Sequence, residues 1–246
     1  PPVPIEEREP FWDMYSQWTL ALEPPAHTRQ RNQLNRAFTA RVVEELRPFI
    51  AAQCEILLDA LAQCQSFDVV ADYAFPLTLR VITQLLGVPQ NDLEQIKQWS
   101  LTIAKVLDYK RTWDVMAEGN RMTADFTAYL GTIAADRRAA PRDDLISRLL
   151  SETGDEQLTE TEIISLCAML LFAGHETTAN TLAWSWLVLS RNPAIYAGVE
   201  AEIKSVLDGR APTFDDIQRL PYCSAVIKEA LRAYPAAWMF QRQALE

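Results

Sequence analysis

Between Thr159 and Arg191 the chain runs without a proline and with a single glycine, Gly174. No other segment restricts the fold as much. Thr159-Glu160-Thr161-Glu162 has the Thr-x-x-Glu spacing of a capping box, and Arg191-Asn192-Pro193 ends the run. A helix over about 159–190 would be ~48 Å long at 1.5 Å per residue. The stretch Ile163–Leu189 has the length of a membrane span. However, His175, Glu176, Thr177, Thr178 and Asn180 stand at its centre, and no basic flank marks one side. A charge at that depth costs ~2.5–3.5 kcal/mol. The segment therefore reads as the core helix of a soluble protein, apolar nearly all round.

At 100° per residue, Leu166, Met169, Leu170, Ala173, Glu176, Thr177 and Asn180 share one face. That face is large, then small, then polar. A flat ligand could lie against Ala173 with Glu176 and Thr177 beside it. Gly174 weakens the helix by ~1 kcal/mol relative to Ala and would permit a local bulge. On these residues alone, a buried helix whose Thr hydroxyls bond back to carbonyls explains the cluster equally well.

The remaining punctuation also predicts helices. Pro24-Pro25 starts one that runs through Phe38, and periodicity continues from Arg41 to about Cys64. Further helices are expected near 71–87, 91–108, 113–136, 142–151, 193–207 and 221–233, while residues 1–23 read as irregular. Only 7 of 246 residues are glycine, which argues against a strand-and-turn fold. The expectation is a mainly α chain, residues 1–246 forming a single helical domain around the long central helix. A net charge of −10 disfavours nonspecific nucleic-acid binding. Cys54, Cys64, Cys167 and Cys223 form no C-x-x-C pair and read as reduced thiols of a cytoplasmic protein.

Two further constellations stand out. His27 and Arg31 are i,i+4 in Pro24-Pro25-Ala26-His27-Thr28-Arg29-Gln30-Arg31 and suit a carboxylate ligand. A helix-capping His beside a surface Arg is the plainer alternative. Glu229 and Arg232 share a helix face before Tyr234-Pro235. In isolation such a pair is usually a solvated one.

Taken together and in this order, these segments resemble the cytochrome P-450 family of haem-thiolate monooxygenases, in its soluble bacterial form. Ala173-Gly174-His175-Glu176-Thr177-Thr178 is similar to the family's oxygen-binding signature. The resemblance implies that Ala173 and Gly174 lie over a haem b and that Glu176 and Thr177 supply protons during dioxygen reduction. It implies that His27, Arg31 and Arg242 bind the haem propionates, and that Glu229 and Arg232 anchor the haem-binding loop. It further implies a small organic substrate and an acidic electron donor of the ferredoxin type. Segment 24–50 carries five arginines against two glutamates, so Arg29 and Arg36, opposite His27 and Arg31, are the expected dock. The family's N-terminal sheet region and its Cys-ligand loop are not matched by any residues here. None of the four cysteines replaces that ligand, no other metal site is expected, and both ends look cut. The expectation is thus a portion of a haem monooxygenase, inactive by itself. The alternative is a haem-free helical scaffold or truncated fragment that keeps only the fold.

Overall fold

Proline and threonine set the helix starts. A computed structural model describes residues 9–108, 112–154 and 156–239 of the chain. Helix α1 is Pro10–Tyr15, α2 Ala26–Ala37, α3 Ala40–Glu45 and α4 Arg47–Ala62. A π-helical turn, Val69–Ala74, runs into α5, Phe75–Leu86. Then come α6 (Leu93–Leu107), α7 (Trp113–Ala139), α8 (Leu145–Ser151) and α9 (Glu160–Arg191). Last are α10 (Pro193–Leu207), a 3₁₀ turn at Phe214–Arg219 and α11 (Pro221–Ala233). Among the described residues there is no strand, so the mainly α reading holds.

The caps explain the boundaries. Thr39, Thr112 and Asp144 each accept a hydrogen bond from a backbone N–H in the first turn of α3, α7 and α8. The box expected before α9 is formed. Thr159 N–H donates to Glu162 Oε2 at 2.8 Å, and Glu162 N–H donates to Thr159 Oγ1 at 3.3 Å.

Three expectations need correction. Residues 1–23 are not wholly irregular: Pro10 at the first helical position presets φ, and Phe11 and Met14 bury one face of α1. The helix expected over 41–64 is broken at Leu46 between α3 and α4. No bulge forms at Gly174, because α9 is α-helical throughout. The π-helical turn occurs instead at Val69–Ala74.

The chain divides into two compact units, residues 1–56 with 79–175, and residues 57–78 with 176–246. In the first, α6 packs along α7, which also contacts α1 and α8, and α2 lies on α8. Gly119 of α7 meets Val106 of α6 so closely that a Cβ would stand 2.1 Å from Val106 Cγ2. An aromatic series, Trp99–Phe126–Phe172–Trp18, runs through this core at centroid spacings of 5.6, 5.7 and 5.8 Å. Arg137, 4% exposed, is held by Asp144, Asp136 and the Gly87 carbonyl. Gly87 takes φ 84°, and a Cβ there would collide with Asp144.

In the second unit α10, α11 and the Phe214–Arg219 turn pack together. Glu202 of α10 accepts from the Tyr222 and Cys223 amides at 2.8 and 2.9 Å, satisfying the start of α11. Trp184 stacks on Tyr234 at 4.4 Å. Among the described residues one 18-residue stretch, Val69–Leu86, has the length and mean hydropathy (1.3) of a membrane span, and half of it is buried in the protein. The stretch first considered for that role, Ile163–Leu189, is not such a candidate.

Candidate functional site

Helix α9 is buried along most of its first half, with Ile163, Leu166, Cys167, Ala168, Leu171 and Phe172 each at most 5% exposed. Ala173 and Gly174 then open to solvent, His175 is buried, and Glu176 and Thr177 are half-buried. Large side chains before Ala173 and a Gly after it create this step. Gly174 is demanded on its other side, because its Cα faces Ile82 of α5.

His175 is 0% exposed. Its Nδ1 lies 2.6 Å from the Leu171 carbonyl and its Nε2 lies 3.1 Å from Ser100 Oγ. A carbonyl only accepts, so Nδ1 carries the proton and Nε2 accepts from the Ser100 hydroxyl. Burial pushes the imidazole below its usual value, which keeps it neutral. The next residue, Glu176, has no hydrogen-bond or ion-pair partner among the described residues. Burial alone raises its carboxyl above the usual glutamate value. A carboxyl of this kind takes up a proton readily and gives it up readily to a stronger base. One turn on, Thr181 Oγ1 donates to the Thr177 carbonyl at 2.8 Å and Ser185 Oγ to the Thr181 carbonyl at 2.7 Å. Back-bonding of hydroxyls to carbonyls thus occurs along this helix at Thr181 and Ser185.

On α2, His27 is half-buried and Arg31 exposed. Neither has a hydrogen-bond or ion-pair partner among the described residues. Their neighbours differ. Arg29 donates to Glu162 and to the Gln157 carbonyl, and Arg36 pairs with Glu152 and Glu156, each at 3.3 Å. The cations expected to face outward are therefore offset by glutamates of the segment before α9 and of its first turn. Arg31 is the arginine of that helix with no carboxylate partner among the described residues. Glu229 and Arg232 form the expected pair at 2.6 and 2.7 Å, but both are largely exposed. Arg242 lies outside the described residues.

Two of the cysteines are poor anions. Burial first, then Asp144, pushes the Cys167 thiol up to about 12, and burial first, then Glu202, pushes Cys223 up to about 11. Cys54 is half-buried and Cys64 exposed. The unpaired His27 and Arg31 fit the propionates of a haem, and the exposed Ala173–Gly174 step fits its flat face. The raised thiols of Cys167 and Cys223 do not fit the role of its axial ligand.

Sequence reasoning missed the Ser100–His175 contact. Its signal was available: Ser100 falls on the same α6 face as Ile96, Ile103 and Val106, all buried. A polar residue at a core position of one helix calls for a polar partner on another.

A family model described as Cytochrome P450 matches residues 15–246. The Biotin biosynthesis cytochrome P450 of Bacillus subtilis is 36% identical over 178 residues, 72% of this chain and 45% of that protein. Cyclomarin C epoxidase of Salinispora arenicola is 39% identical over 184 residues, 74% of this chain and 47% of that protein. The crystal structure of P450BioI with a hexadec-9Z-enoic acid-ligated acyl carrier protein superposes with a TM-score of 0.81 at 30% identity. It covers 94% of this chain and 56% of that one. Mycobacterium smegmatis CYP164A2 gives a TM-score of 0.75 at 36% identity, covering 88% and 52%. The chain thus spans about half the length of the relatives it matches.

Proposed function

The chain belongs to the cytochrome P450 family, and from that premise we propose that it is the helical part of a haem-thiolate monooxygenase acting on a small organic substrate. When bound, the haem supplies the activation of dioxygen: two electrons and two protons enter, one oxygen atom goes to the substrate and the other leaves as water. His27 and Arg31 hold its propionates by charge-assisted hydrogen bonds, joined by Arg242. Ala173 and Gly174 keep the face of α9 flat enough for the ring to approach. Glu176 holds a proton at its carboxyl and passes it on, and the Thr177 hydroxyl orients the proton's path. Glu229 and Arg232 would brace the haem-binding segment. The single-domain reading of residues 1–246 belongs to the same proposal, as does a cytoplasmic location. So does an acidic, ferredoxin-type electron donor. Arg29 and Arg36 take part in its docking only where it competes with Glu152, Glu156 and Glu162 for them.

The observation that carries this reading is the half-buried Glu176, without a partner among the described residues, next to an open small-residue step in the middle of a helix whose first half is buried. Buried acids without a partner are expensive, and sites that move protons are where they persist. In the full-length protein, Thr177→Ala should keep consuming electrons while peroxide replaces product. Glu176→Gln should slow turnover by about 10²–10⁴. Normal coupling and rate in both variants would remove these residues from the mechanism. The absence of a red-shifted Soret band on reduction under CO would remove the haem-thiolate assignment itself.

A further inference from the structure

His175 is a fully buried imidazole that the proposed proton path does not use, and Ser100 is 1% exposed on another helix. We propose that Ser100 and His175 form a positioning latch, which ties the turn of α9 bearing Glu176 and Thr177 to α6. The proposal rests on the monooxygenase reading for its functional consequence and on the geometry for its existence.

The geometry leaves little freedom. The Leu171 carbonyl accepts from His175 Nδ1–H at 2.6 Å, which fixes both the tautomer and the ring's direction. The remaining lone pair, on Nε2, then points across to the Ser100 hydroxyl 3.1 Å away. Both ring nitrogens are satisfied, and the Ser100 hydroxyl meets part of the cost of burying the imidazole. Ser100 sits in a rigid block, because Ile96, Ile103 and Val106 of α6 are each 0% exposed and α6 lies along α7. On the preceding residue, Ile82 lies against Gly174 and restricts the same turn from a second helix. Glu176 follows His175 directly. A small rotation of this turn would displace the Glu176 carboxyl and the Thr177 hydroxyl together. A misplacement of about 1 Å in a reacting group can cost on the order of 10²-fold in rate.

The latch therefore acts through Glu176 and Thr177, and coupling is the quantity it should control. In the haem-loaded, full-length protein, Ser100→Ala should raise the share of electrons lost to peroxide at least about threefold. Haem content should change little, and the melting temperature should fall by only a few degrees. Amide exchange across residues 176–180 should quicken about five- to tenfold, the size expected for one lost buried hydrogen bond. The ¹⁵N resonance of His175 Nε2 should move toward that of an unbonded lone pair while Nδ1 stays protonated. Ser100→Thr, which keeps the hydroxyl, should restore both coupling and the resonance. Thr177→Ala serves as the reference. If it uncouples while Ser100→Ala does not, the latch is overturned and the monooxygenase reading stands. If Ser100→Ala and Ser100→Thr uncouple alike, the effect is one of packing and the latch is likewise overturned. If Thr177→Ala stays coupled, the proton-path reading fails, and the exchange rates and the His175 spectrum decide the latch alone.

Discussion

Gly174 and Ile82 approach so closely that a Cβ on Gly174 would stand 2.9 Å from Ile82 Cδ1 and 3.2 Å from Ile82 Cγ1. Glycine inside a helix gives up about 1 kcal/mol against alanine, so the close approach of α5 is what requires it. Gly174→Ala should accordingly destabilise the protein by about 1–2 kcal/mol despite its gain in helix propensity. Adding Ile82→Val removes the nearest atom. The double variant should then lose less stability than the two single losses combined. Urea unfolding of all four proteins measures this, and simple additivity would show that the contact does not set the residue.

Glu176 gives a pH signature. Its folded carboxyl is raised by burial, so the fold penalises the ionised form. That penalty is absent below the ordinary glutamate value of 4.5, grows as pH rises from there to the folded value and is constant above it. Glu176→Gln cannot ionise. It should melt higher than the parent at about pH 7.5 and at the same temperature at about pH 4. Equal melting at both pH values would show that the carboxyl is solvated.

Two arginines on one helix should behave oppositely. Arg31→Ala should weaken haem retention by roughly tenfold or more, the loss of one charge-assisted bond of ~1.5–3 kcal/mol, and leave the melting of the haem-free chain unchanged. Arg29→Ala should lower stability by up to about 1 kcal/mol, since the pair with Glu162 is partly solvated. Burial pulls the Glu162 carboxyl up, but the Thr159 amide and hydroxyl and Arg29 together bring it below its usual value. Their contribution is therefore present above the ordinary glutamate range and disappears as pH falls through the folded value. The Arg29→Ala penalty should fade in acid. Haem transfer to an acceptor protein and thermal melts separate the two cases.

Asp144 should be among the costliest positions. It is 6% exposed, pairs with the buried Arg137, and caps α8 through the Ser147 amide at 2.8 Å. Asp144→Ala strands a buried guanidinium and should cost ~3–5 kcal/mol. A change below about 1 kcal/mol would mean that Asp136 and the Gly87 carbonyl suffice to hold Arg137.

The helices were legible because their limits are local chemistry. Thr159 with Glu162, Pro193 and Pro221 mark starts that need no tertiary information, and the observed spans follow them. Helix α1 was not legible, being six residues long and held by the burial of Phe11 and Met14. At the site, the step from Phe172 to Ala173 could be read from side-chain size. The partners of Arg29 and Arg36 could not, because Glu152, Glu156 and Glu162 lie more than a hundred residues away in sequence. The same holds for Ser100 and His175, 75 residues apart. Sequence spacing reveals which residues share one helix, whereas pairing between helices depends on how those helices pack.

Pairing of Arg29 and Arg36 inside the chain also shapes what an approaching molecule feels at a distance. A bound guanidinium and carboxylate act as a dipole, whose potential falls off faster than that of a single charge. At physiological ionic strength the Debye length is about 8 Å, so these pairs fade from view before contact. Along α2 the three arginines Arg29, Arg31 and Arg36 are matched by Glu152, Glu156 and Glu162, so the far field there carries no net positive charge, in a chain whose net charge is −10. An encounter with an acidic protein is then hardly steered from this face, and its rate should depend on salt with a much shallower slope than that of a five-arginine surface.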